Sequence, residues 1–95
     1  MRKNVKSYRG TSYSVVSPDG HYGLEIREDT NSVDEVVEQI RESNLRALSK
    51  GYEAKRWLVV INIWNKEWTE DGEFLGEHRS SSVLCKVNEH GKIEL

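Results

Sequence analysis

The segment Trp57-Leu58-Val59-Val60-Ile61-Asn62-Ile63-Trp64-Asn65-Lys66-Glu67-Trp68 constrains this chain more than any other. Its β-branched and aromatic residues specify a strand. Side chains of a strand alternate between the two faces of its sheet. One face therefore receives Trp57, Val59, Ile61, Ile63 and Asn65, and the other Leu58, Val60, Asn62, Trp64, Lys66 and Trp68. Both faces carry apolar residues, so both ask for cover. The remaining sequence offers a single helix, which can lie on only one of them. We expect it over Val59, Ile61 and Ile63, leaving Leu58, Val60 and Trp64 without an obvious lid.

That helix is predicted over residues 33–49. Ser32 is a good N-cap and Glu35, three residues on, suits a capping box. Val33, Val36, Val37, Ile40, Asn44, Ala47 and Leu48 form its apolar stripe, with Leu45 at the margin. Glu35, Glu38, Gln39, Glu42, Arg46 and Ser49 are expected to face water. Gly51 is a C-terminal stop signal.

Ahead of the helix, residues 11–16 and 21–28 read as a hairpin around Ser17-Pro18-Asp19-Gly20, a strong turn sequence. Tyr22, Leu24 and Ile26 share one face of its second strand. After the long strand, Asp71-Gly72 marks a turn. Residues 74–88 return, with a bend or bulge expected at Ser80-Ser81-Ser82. Val83, Cys85 and Val87 share one face by alternation. Residues 92–95 are a possible short edge strand. The order β-β-α-β-β, with that optional last strand, predicts an α+β fold. It is a two-layer domain with a mostly antiparallel sheet of four to five strands and one helix on one face. Residues 11–95 form one domain, preceded by a basic, flexible arm at residues 1–10.

Charge sharpens the division. The 95 residues carry a net −2, but Arg2, Lys3, Lys6 and Arg9 precede the first acid, Asp19. Ten basic and sixteen acidic residues remain, a body of −6. The arm suits a weak, salt-sensitive contact with phosphate or an acidic partner. The acids Glu67, Glu70, Asp71, Glu73 and Glu77 crowd the hairpin after the long strand.

Several chemistries find no support. No apolar run is long enough for a membrane helix, and the basic start has no apolar segment behind it, so no secretory signal is read and a cytoplasmic location is expected. His21, His78 and His90 lack metal-ligand spacing, and no metal or cofactor is expected. Cys85, a lone cysteine, reads as a small buried hydrophobe. Ser80, Ser81 and Ser82 lack a nucleophile elbow. The carboxylates flanking the Asp-Gly turn read as a solvated loop, and no catalytic residue is named.

An uncovered apolar and aromatic sheet face is a mark of an interface. The expected function is therefore a non-enzymatic protein–protein interaction module. Leu58, Val60, Trp64, Lys66, Trp68, Glu70, Asp71 and Glu73 would contact a protein partner or a second copy in a homodimer. The alternative is a single-stranded nucleic-acid binder that stacks bases on the tryptophans and neutralises phosphate with Arg2, Lys3, Lys6 and Arg9. A small enzyme or ligand-binding domain is the third reading. In its hairpin, helix and Trp-strand organisation the chain resembles small soluble accessory proteins of bacteria and their phages. That resemblance implies an inhibitor, immunity-like or regulatory role.

Overall fold

The computed structural model describes residues 5–94. In chain order the elements are β1 (Val5–Val16), β2 (Gly23–Leu24), α1 (Val33–Ser49), β3 (Trp57–Thr69), β4 (Phe74–Val87) and β5 (Ile93–Glu94). All strand pairings are antiparallel, in the order β2-β1-β3-β4-β5. The long apolar strand lies at the centre of the sheet, and the fold is α+β with one helix.

The helix forms as its sequence dictates. Ser32 accepts from the Glu35 N–H at 3.2 Å, while the Glu35 carboxylate accepts from the Asn31 N–H instead of completing the box at Ser32. At the other end Gly51 takes φ +85, and the Gly51 and Tyr52 N–H groups donate to Leu48 and Ala47 carbonyls. Such a reversal satisfies carbonyls the last turn leaves open.

Val36, Val37 and Ile40 of α1 pack on Val15, Trp57, Val59 and Val87, with Cys85, Tyr13 and Leu24 around them. Each large side chain in this cluster contributes roughly 1.5–3 kcal/mol by leaving water. Polar pins hold the helix in register. Gln39, expected to face water, is buried. It accepts from the Arg27 N–H at 2.8 Å and donates to Thr30 and the Glu35 carbonyl. Asn44 exchanges two bonds with the Lys55 backbone, and Arg41 donates to the Gly91 carbonyl. Leu45 and Leu48, in contrast, are exposed, bordering an open depression beside the turn at Glu89–Gly91.

The structure corrects the expected strand boundaries. β1 starts at Val5, six residues earlier than the hairpin reading, so residues 5–10 are paired sheet rather than a free arm. β1 runs in unbroken register along the whole of β3, from Val5↔Thr69 to Val16↔Leu58. The expected strand over residues 21–28 shrinks to Gly23–Leu24, because the chain leaves β1 to meet Gln39 and turn at Thr30. Ser80, Ser81 and Ser82 pair regularly. The register shifts fall instead beside Leu84 and Leu75. The first shift sets Val83 opposite Val60 on one face and Cys85 opposite Val59 on the other, breaking the expected alternation.

A β3 of thirteen residues spans about 44 Å, whereas a helix of seventeen spans about 25 Å. The helix covers Trp57 and Val59 but stops short of Ile63, which is 40% exposed. The molecule is therefore a small two-layer head with a three-stranded arm projecting from it. Its extents are 63 × 23 × 22 Å and its radius of gyration 17.6 Å, against roughly 12 Å for a compact chain of this length.

Candidate interaction surface

Register between the strands decides which side chains share the uncovered face. Leu58, Val60, Trp64, Lys66 and Trp68 lie on it as the alternation required. β1 adds Lys6, Tyr8, Gly10, Ser12, Ser14 and Val16, and β4 adds Phe74, Glu77, Arg79, Ser81, Val83 and, at the head end, Lys86. From tip to head the face changes character three times.

At the tip Trp68 sits between two rings. Tyr8 meets it edge-on at a centroid distance of 5.1 Å, and Phe74 lies tilted at 5.5 Å. Next comes Trp64, whose ring lies across the strand over Gly10. A Cβ at Gly10 would overlap that ring, so glycine is required there by close approach. The Lys66 ammonium stands 5.3 Å from the Trp64 ring, a cation–π distance. Arg79, opposite Trp64, pairs with Glu77 at 2.9 Å. The third zone is a polar belt in which Asn62 donates to Ser14 and accepts from Ser81, both at 2.7 Å. The fourth, at the head, is mainly apolar again: Leu58 and Val60 are half-buried and Val83 is 56% exposed, with Lys86 exposed beside Leu58.

Cross-strand pairs are what hold a sheet that has no second layer. The aromatic groups therefore stabilise the arm as well as offering surface. Tyr8, Gly10 and Phe74 are participants that alternation within the long strand did not reveal. The available signal was its length: a strand of that extent needs an equally long partner, and residues 5–16 hold no turn sequence that would end one early.

The remaining predicted residues disperse. Glu70, Asp71 and Glu73 are exposed in and beside the β3–β4 turn. Lys6 lies on the uncovered face, but Arg9 projects from the opposite one, beside Asn65. Arg2 and Lys3 lie outside the described residues. His21, His78 and His90 occupy a β1–β2 turn, the arm and a β4–β5 turn. Among the described residues no three His, Cys, Asp or Glu side chains gather as a metal site would require. Cys85 is half-buried, and burial pushes its thiol above the ordinary value, which favours the neutral, unreactive form. Among the described residues no helix is long and apolar enough to cross a membrane.

Among the described residues two carboxyls are perturbed, both in turns at the head. A hydrogen bond from the Ser17 hydroxyl, then one from the His21 N–H, holds Asp19 below its ordinary value. Arg56, bonded at 2.6 Å, does the same to Glu89. Asp19 is exposed in its turn, and Glu89 borders an open depression beside Arg41, Leu48 and His90.

Comparison of the chain with models of known protein families, with curated proteins and with solved structures finds no match. The functional reading therefore rests on geometry.

Proposed function

We propose that the protein is a non-enzymatic interaction module and that the bare face of its arm is the contact surface. One observation carries this: α1 packs on the Val59 side of the sheet, so among the described residues no second layer covers the opposite face, which bears Leu58, Val60, Trp64 and Trp68. The chain exposes 7418 Å², where a compact protein of its mass would expose roughly 5,600 Å². The occupant that fits best is a second copy. The face carries one apolar zone at the tip and another at the head, separated by the charged groups around Trp64 and by the Ser14–Asn62–Ser81 belt. Two such faces packed antiparallel bring tip against head twice about one two-fold axis, as a self-complementary interface requires. The three long strands offer roughly 600 Å² per copy, near the lower end of stable specific interfaces. An inhibitor or immunity-like role would act through such an assembly by occupying a partner's surface.

Nucleic-acid stacking is less well supported, because the rings are already engaged. Trp64 lies over Gly10, and Trp68 is held by Tyr8 and Phe74.

Light scattering after size exclusion tests the proposal. A dimer is expected, and Val83→Lys should convert it to a folded monomer, since Val83 is exposed and its loss leaves the core intact. A wild-type monomer at high micromolar concentration, or a dimer indifferent to Val83→Lys, overturns the reading.

A further inference from the structure

We propose that the free edge of β1 is a docking site for an extended acidic segment of a partner protein, which adds there as a further strand. This surface is separate from the bare face, so the two proposals stand or fall independently.

The backbone shows where the open bonds are. β2 pairs with β1 only at Val15 and Val16, and the Ser17 N–H donates across to Tyr22 at 2.8 Å. The β2 side of β1 therefore receives the Ser17 N–H, while the Ser17 carbonyl closes the turn with the Gly20 N–H, and by the strand's period of two it receives the N–H and C=O groups of every odd residue before it. The even residues face β3, in a register with no bulge. Beyond Val15 the groups of Tyr13, Thr11, Arg9, Ser7 and Val5 point outward, and no other strand among the described residues meets them. That is a template about ten residues long for strand addition.

The two edges of the arm are not equivalent. β4 is also open beyond its short pairing with β5, but register shifts beside Leu75 and Leu84 interrupt it. Bulges twist an edge away from foreign strands. β1 has no such device. What it has is charge: Lys6 and Arg9 are exposed, on opposite faces, and no acidic residue lies between Val5 and Pro18. A strand laid along this edge has a cation above it and another below it. Acidic side chains at alternating positions would meet both, whereas a second β1 would bring like charges together. Main-chain bonds supply the affinity and the two cations select the partner's charge.

A fluorescein-labelled peptide of alternating threonine and glutamate, and its lysine counterpart, provide the probes for fluorescence anisotropy with the full chain. The acidic peptide should bind, more weakly as salt rises, and the basic one should not. Thr11→Pro removes an outward N–H without touching the β1–β3 ladder and should weaken binding by about tenfold or more. Hydrogen exchange reports the same geometry independently. In the free protein the amides of Ser7, Arg9, Thr11 and Tyr13 should exchange faster than those of Tyr8, Gly10 and Ser12, and the peptide should protect the first set. The double variant Lys6→Glu/Arg9→Glu should reverse the preference to the basic peptide. Acidic-peptide binding unchanged by Thr11→Pro overturns the proposal, as does equal binding of both peptides. So does a wild-type dimer that Thr11→Pro alone dissociates, since the occupant is then a second copy. If oligothymidylate competes with the acidic peptide and binds Thr11→Pro at full strength, charge alone is being read and the strand-addition proposal fails.

Discussion

The head and the arm of this molecule are made from the same three strands, yet different forces hold them. In the head, Val59 and Val87 are removed from water by α1, and stability comes from apolar burial around Ile40 and Val36. In the arm the same strands have solvent on both sides. Ladder hydrogen bonds and cross-strand contacts remain, chiefly Trp64 over Gly10 and the Tyr8–Trp68–Phe74 group. A sheet with one layer is affordable in a small domain only when a second layer packs elsewhere along it, and α1 provides that at one end alone. The comparison teaches that Tyr8, Trp64, Trp68 and Phe74 sit where the core does not reach, while Trp57 is the tryptophan the core takes in.

The comparison breaks most readily in the head. Ile40→Ala removes a side chain with no exposed surface and should cost about 2–5 kcal/mol, read by urea unfolding, with head and arm lost together. The next effect is in the arm. Gly10→Val drives a side chain into the Trp64 ring and should cost about 1–3 kcal/mol. Amide exchange should rise around Trp64 and Gly10 while the amides of α1 keep their protection. Equal loss in both regions would mean that the arm and head are one cooperative unit. Tyr8→Ala deletes one ring of the tip group at a cost of about 0.5–1.5 kcal/mol beyond lost area, visible as a red shift in Trp68 emission.

The smallest effect concerns pH. Asp19 and Glu89 are held below their ordinary values by Ser17 and Arg56. Groups so lowered stabilise the fold above the unfolded carboxyl range, and the contribution is lost as pH falls through their folded values. Both lie in head turns, so acid below the ordinary carboxyl range should loosen the β1–β2 and β4–β5 turns before the arm. Thermal melts of Asp19→Asn and Glu89→Gln should show a flatter acid limb than wild type.

Much of this was legible locally. Ser32, the valine spacing and Gly51 place α1, because caps and periodicity act within a few residues. Trp57–Trp68 declares itself a central strand through its own composition. Leu58, Val60, Trp64, Lys66 and Trp68 fall on one face because alternation within a single strand is a local property. β1 was underestimated because Val5–Ser14 has no apolar alternation; it is a strand through its register with β3, not through burial. Gln39 was misplaced because its amide looks like surface, whereas its value lies in the Arg27 N–H and Thr30 hydroxyl it joins. The bulges beside Leu75 and Leu84 also escape any local reading, since they record a mismatch between two strands.

The sequence by itself determined the elements, the α+β class and the surplus of apolar residues on the long strand. Only the tertiary structure decided that this surplus is met by extension rather than by a second layer. The physical reason is length. A helix rises about 1.5 Å per residue and a strand about 3.4 Å, so α1 cannot reach the far half of β3. What lies beyond its reach is a single layer of sheet, continuous with the bare face and bordered by the open edge of β1.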